Sequence, residues 1–427
     1  MFRDAVAISG FLWYHPRMDI AQLVFQIFYY AVFALAAFFV IRAMIKPRPE
    51  AIPQAPSKHM CLKIFAVAVL SRVLLLLLNW GLKALLGNGC ELLDTWNRWD
   101  ADQYLKIITL GYWSDTEGWV RTVFFPLYPM VARVFQFGFI DARLSAMIVS
   151  WLCLGGASVY LYKLVLLDGE EPSARRAVKF LLIFPLTVFL GAPFTESMFL
   201  FLSLACLYHM RKRQFLLACA LGGLAALTRN VGVLLAVPVF IEMLRADGIL
   251  PRGDAPRRWG RFCGHAAMLL IIPLGTLGYL LMNYLLTGDA FMFLKMQQQY
   301  WNQGFGSFGN SLRVTWGQIT SQGTSLRDNL TLWISQFAVM VIGGATLPVM
   351  AKKLRASYGA YALVYLFVAF APTWLLSGFR YYMGLAVLYP ALALLTRHRW
   401  ADMALTAVFA ILLPFYSYCF SVGWLVF

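Results

Sequence analysis

Long apolar runs broken by short polar connections recur from about residue 20 to the end of the chain. A helix needs roughly 18 or more apolar residues to cross a bilayer, and several runs approach or exceed that length. Read from runs and breakers, the spans fall at about 20–42, 62–86, 143–167, 178–191, 195–210, 214–228, 230–245, 262–286, 330–350, 357–376, 380–396 and 402–424. Several are shorter than a crossing; such helices are tolerated where they line a cavity inside the protein. The short alternating segments of an outer-membrane barrel are not evident. The pattern predicts an all-α polytopic membrane protein with about twelve transmembrane helices. Two long loops, about 87–122 and 287–329, lie on one side.

Residues 123–140, beginning Phe124-Phe125-Pro126-Leu127-Tyr128-Pro129, resist this scheme. They are apolar but hold two prolines. A re-entrant or interfacial segment keeps the charge pattern regular; a true span with a neighbour miscounted is the alternative.

Charge then orients the chain. Of 427 residues 61% are hydrophobic and only 13% charged, yet the net charge is +16. In a soluble protein that excess would point to nucleic acid. Here the cations gather in every second connection: Arg42 to Lys63, Arg175 to Lys179, Arg211 to Arg213, Arg245 to Arg261, Lys352 to Arg355, and Arg397 with Arg399. The positive-inside rule puts these connections in the cytoplasm and both termini outside, with no nucleic-acid partner implied. Anionic headgroups add a second use for the same cations.

Residues 1–18 lack the apolar core of a cleaved signal, so the first long run should persist in the mature chain. The seven cysteines have no regular spacing and mostly sit in apolar runs, where they read as small hydrophobes. No His/Cys pair has metal-ligand spacing.

Candidate chemistry gathers on the non-cytoplasmic side. Asp94, Asp100 and Asp102 lie within nine positions directly after a long apolar run. Carboxylates at a membrane boundary are costly unless used. Glu196, Arg229, Asp289, Gln297, Trp301 and Arg380 fall on the same side, where the positive-inside rule predicts few arginines. Arginine binds phosphate through charge-assisted, bidentate hydrogen bonds, and a carboxylate can take a proton from a hydroxyl. Sugar transfer from a polyprenyl-phosphate donor needs both.

Ordered motifs sharpen this. They are Arg98-Trp99-Asp100 with Tyr104, Ile107 and Gly111-Tyr112; Phe125-Pro126-Leu127-Tyr128-Pro129; and Phe184-Pro185 with Thr195-Glu196-Ser197. Leu224 to Asn230 follows with Gly232, then Gly288-Asp289 with Gln297 or Gln298 and Trp301, then Ser377 with Arg380-Tyr381 and Pro390. Over roughly 62–395 the chain resembles the PIG-V-type mannosyltransferases, a branch of the GT-C glycosyltransferases.

The resemblance implies an inverting transferase using a polyprenyl- or dolichyl-phosphate mannose donor and a glycolipid or lipid-linked acceptor. It assigns the catalytic acid of the first outer loop to Asp100. It makes 1–61 an added helix and cytoplasmic loop, 62–286 the conserved module, and 287–427 the second outer loop with the C-terminal helices. The compact length resembles a prokaryotic relative in the plasma membrane with its site facing outward; a eukaryotic protein would sit in the ER with the site lumenal. Eukaryotic relatives act with a helper subunit, so an accessory partner is part of the expectation.

Each residue also has a plainer reading. Asp100 could cap a helix, and Glu196 could simply start one. Arg229 and Arg380 bind the donor phosphate or form structural ion pairs, Arg229 with Glu196. Trp99, Tyr104, Gln297, Trp301 and Tyr381 contact sugar or support the site; interfacial tyrosine and tryptophan are also ordinary membrane anchors. Asp100-Ala101-Asp102 has the Asp-x-Asp spacing that holds a divalent metal in nucleotide-sugar enzymes. A lipid-phosphate donor has no diphosphate to bridge, and on a helix the two acids point apart, so neither metal nor cofactor is expected. The stretch 304–329 reads as a loop over the site. Rival functions are a lipid-linked sugar flippase, transfer of another sugar, protein O-mannosylation, and a non-catalytic subunit.

Overall fold

The computed structural model describes residues 20–46, 53–112, 118–250, 257–302, 304, 306–373 and 375–426. The expectation about residues 1–18 lies outside them. The regular secondary structure of the described residues is helical, apart from one extended pairing in which Gly306 N–H donates to the Ala371 carbonyl and Thr373 N–H to that of Gly304.

Six stretches are long and apolar enough to cross a membrane. These are α1 (Ile20–Ile45), α2 (Lys58–Leu85), α5 (Ala142–Leu166), the joined α10 and α11 (Trp259–Met268 and Ile271–Thr287), Leu326–Lys353 containing α14 (Ile334–Lys353), and α18 (Arg399–Ser421). A seventh is the pair α16 (Gly378–Gly384) and α17 (Leu388–Leu395), bent by 81°. This is an integral membrane protein.

Five other expected spans are helices of 11 to 16 residues: α6 (Glu171–Ile183), α7 (Glu196–Arg211), α8 (Phe215–Ala226), α9 (Ala236–Ala246) and α15 (Ala356–Ala369). Run length alone misses where they break. The run read as 178–191 is α6 up to Ile183, then a turn at Phe184-Pro185. Proline disfavours helix at the residue before it, which fixes that end. Residues 123–140 hold α4 (Leu127–Phe135), nine residues long and about 13 Å at 1.5 Å per residue, too short to cross.

The stretch expected to be a loop at 304–329 is a correction: it contains α13 (Phe308–Thr320). Ser307 caps it by accepting from Asn310 N–H, and Phe308, Leu312 and Thr315 bury one face at helical spacing. α12 (Met292–Trp301) precedes it, and α3 (Asp100–Leu110) occupies the first outer loop.

α1 is not peripheral. It packs on α13, α14 and α15; Tyr29 donates to the Met340 carbonyl at 2.9 Å and stacks on Phe308 with ring centroids 5.0 Å apart. Elsewhere α5 packs on α2 and α7, and α8 packs on α7 and α11.

Three broken segments dominate the interior. The first, 184–195, is buried along its whole length. Carbonyls on either side of the break are satisfied from α2: Arg72, only 1% exposed, donates to Leu182 O at the end of α6 and to Thr187 O at 2.7 Å each. The second, 227–235, turns through Gly232, where a Cβ would collide with the Ala225 backbone. The third, 371–387, contains α16. Together they deliver Glu196, Arg229 and Arg380 to one place.

Candidate active site

α3 begins at Asp100 because the chain turns sharply at Trp99, whose φ of 56° and ψ of −124° are rare for a side-chain-bearing residue. Such strain persists only where packing enforces it. The Trp99 ring lies against the small cluster around Leu332 and Trp333, which anchors the turn.

Asp100 then joins a network with three residues from distant parts of the sequence, through Arg380. Its Oδ2 accepts from Arg380 Nη1 at 2.9 Å. Arg380 also grips Glu196 Oε1, with Nε at 2.7 Å and Nη2 at 2.6 Å. Arg229 Nη1 reaches the same Oε1 at 2.7 Å and the Thr195 hydroxyl at 3.3 Å. One carboxylate oxygen therefore anchors two guanidiniums. Among the described residues Glu196 Oε2 has no hydrogen-bond partner.

The two cations are also flanked by rings. Arg380 lies 4.9 Å from the Phe189 ring and 4.8 Å from that of Phe194, and Arg229 lies 5.1 Å from the Tyr381 ring. Desolvated contacts of this kind favour the charged guanidinium. The Tyr104 ring packs edge-on against Phe124 and Tyr128.

Exposure sorts the four charges. The side chains of Glu196, Arg380 and Arg229 are 1%, 6% and 12% exposed, and that of Asp100 is 22% exposed. Asp100 is the most exposed of the four and Glu196 the most buried. The arrangement is neutral overall, with one accessible carboxylate beside two fixed guanidiniums.

Other expected residues lie apart. Asp102 is half-exposed and paired with Lys106 at 3.1 Å, so the Asp-x-Asp acids face different partners and do not converge. Asp94 pairs with Arg143 at 2.9 Å, and Asp289 with Lys295 at 2.6 Å. Lys295 and the Phe291 N–H hold Asp289 below the usual carboxylate range. Gln297 and Trp301 sit on α12, which packs against 118–121 and α11. Sequence reasoning passed over Arg72 inside a span, although an intramembrane arginine is itself a signal. It also did not foresee that Arg380 bridges Asp100 and Glu196.

No family model matches this chain, and no curated protein does. The motif resemblance to PIG-V-type transferases therefore stands without a family match. Among solved structures, the chain is similar to the Archaeoglobus fulgidus oligosaccharyltransferase, crystallised with a tethered acceptor peptide containing the NVT sequon. The TM-score is 0.45 and the identity 14%, over 87% of this chain and 56% of the other. This chain thus spans little more than half the length of that protein.

Proposed function

We propose that the protein is an inverting glycosyltransferase. It moves mannose from polyprenyl-phosphate mannose to a hydroxyl of a glycolipid or lipid-linked glycan, on the non-cytoplasmic face. The observation that carries this reading is one reachable carboxylate, Asp100, held 2.9 Å from a buried arginine that shares Glu196 with a second arginine.

Asp100 takes the proton of the acceptor O–H. The acceptor oxygen bonds to the anomeric carbon of mannose as the bond from that carbon to the phosphate oxygen breaks, which inverts the carbon. The electron pair leaves with the lipid phosphate, whose gained charge is met by Arg229 and Arg380. Fixed donors of this kind act most strongly where charge develops. Glu196 keeps both guanidiniums aimed before substrate arrives, which removes reorganisation from the reacting step. The Tyr381 ring, 5.1 Å from Arg229, adds a second contact to that guanidinium.

The charge pattern supports the outward orientation. Glu196 opens α7, and Arg211 to Arg213 close it. Sixteen helical residues separate these ends by about 24 Å, most of a bilayer's apolar thickness. With the cationic end in the cytoplasm, the site opens toward the other side.

The test is transfer in liposomes containing the full chain, membrane-extract acceptors, and synthetic polyprenyl-phosphate mannose or GDP-mannose, with and without EDTA. Transfer from the lipid donor alone, unchanged by EDTA, is expected. Use of GDP-mannose, or movement of the lipid donor across the bilayer without transfer, would overturn the reading.

A further inference from the structure

We infer that Gln336 is a positioning residue for Arg380. The inference rests on the phosphate-binding role given to Arg380 above.

Gln336 lies on α14, is fully buried, and bonds the backbone leading to Arg380 through both its carboxamide nitrogen and its oxygen. Its Nε2 donates to the Leu376 carbonyl at 2.5 Å, and its Oε1 accepts from Gly378 N–H at 2.8 Å. The two contacts bracket Ser377, the residue before α16. A seven-residue helix has little stability of its own, and its first N–H groups lack internal partners. Gln336 supplies one of those partners and fixes the direction in which the helix starts. Arg380 sits two residues on.

The rest of α16 is tied at its far end, where Tyr365 donates to the Tyr381 carbonyl at 2.9 Å and Tyr382 meets the Thr346 hydroxyl at 2.9 Å. Upstream, Asn310 and Ser311 hold the carbonyls of Thr373 and Pro372. Gln336 ties the backbone between these, ending two residues before the functional guanidinium.

Gly378 is shaped to this contact. A Cβ there would stand 2.7 Å from Gln336 Oε1 and would also collide with Leu375. The glycine lets the carboxamide reach the backbone. Arg380 must hold Glu196 and Asp100 together at 2.6–2.9 Å, so a displacement of about 1 Å at α16 breaks one contact or the other.

The experiment uses the full chain in liposomes with synthetic polyprenyl-phosphate mannose as the probe. Gln336→Leu keeps similar volume but forms neither hydrogen bond; Gly378→Ala keeps the glutamine but pushes it away. Each is expected to raise the donor KM about tenfold, below the roughly hundredfold that a full ångström of misplacement can cost. The decisive readout is a double-mutant cycle with Arg380→Lys, which retains charge and measurable turnover. If Gln336 acts through Arg380, Gln336→Leu adds little in the Arg380→Lys background.

An unchanged donor KM in both single variants would overturn the inference. So would an equal loss in both backgrounds accompanied by lowered melting temperature, which is the mark of a purely structural role. Should Gln336→Leu fail to reach the membrane, Gly378→Ala carries the same cycle. Wild-type behaviour of Arg380→Lys would instead strike the phosphate-binding reading, and this inference with it.

Discussion

At the scale of single residues, the site is organised by its least accessible member. Glu196 Oε1 takes three N–H donors from two arginines, so its charge is what permits both cations to be buried. Removing one partner of such a pair leaves an uncompensated charge and typically costs about 3–5 kcal/mol. Glu196→Gln is therefore expected to lower thermal stability in detergent by several degrees and to weaken donor binding together. Loss of donor binding with unchanged melting would instead mean that Glu196 contacts substrate directly. Asp100 was legible in the sequence as a carboxylate at a membrane boundary, and the two arginines as cations on the side expected to hold few. Their mutual geometry was not, because Arg380 lies 280 positions from Asp100 and nothing local links them.

At the scale of elements, breaks matter more than spans. Hydrophobic runs predicted the long helices well, since composition alone fixes them. They gave no warning that α6 stops at Ile183 or that α16 and α17 meet at 81°. Proline at 185 was visible, but the buried Arg72 that makes the break tolerable required three dimensions. The loop expected at 304–329 failed for a related reason: polar composition hid the stripe that α13 buries against α1.

Caps follow simpler rules. Asp141 starts α5 by accepting from Arg143 N–H at 2.7 Å, and the same arginine's side chain holds it below the ordinary carboxylate range. Asp141→Ala should cost about 1 kcal/mol of stability, the usual worth of an N-cap. A depressed folded value means the contribution is present above the unfolded value near pH 4 and lost as pH falls through the lower folded value. The melting difference between wild type and Asp141→Ala should hold from pH 7 to about pH 5 and shrink below about pH 4. A difference that grows on acidification would contradict the cap.

At the scale of the whole molecule, charge and site separate to opposite ends of the helices. Asn88 lies near the Asp100 end and Lys212 near the cationic end, and both are exposed. In a background lacking the native cysteines, Asn88→Cys should react with a membrane-impermeant maleimide from outside intact cells, and Lys212→Cys should react only after permeabilisation. The reverse pattern would place the site in the cytoplasm. The helix expected to be an addition, α1, packs into the bundle through Tyr29 and Phe308. Resemblance that begins near residue 62 could not reveal that contact.

The central claim is that Asp100 removes the acceptor proton, and one substitution isolates it. In Asp100→Asn the amide oxygen can still accept from Arg380 Nη1, so the guanidinium network survives while the base is lost. The measurement is single-turnover transfer from synthetic polyprenyl-phosphate mannose, with donor affinity measured in parallel. Asp100→Asn is predicted to slow transfer by roughly 10²–10⁴, the usual contribution of a positioned base, with donor affinity within about twofold of wild type. Transfer at the wild-type rate would contradict the account.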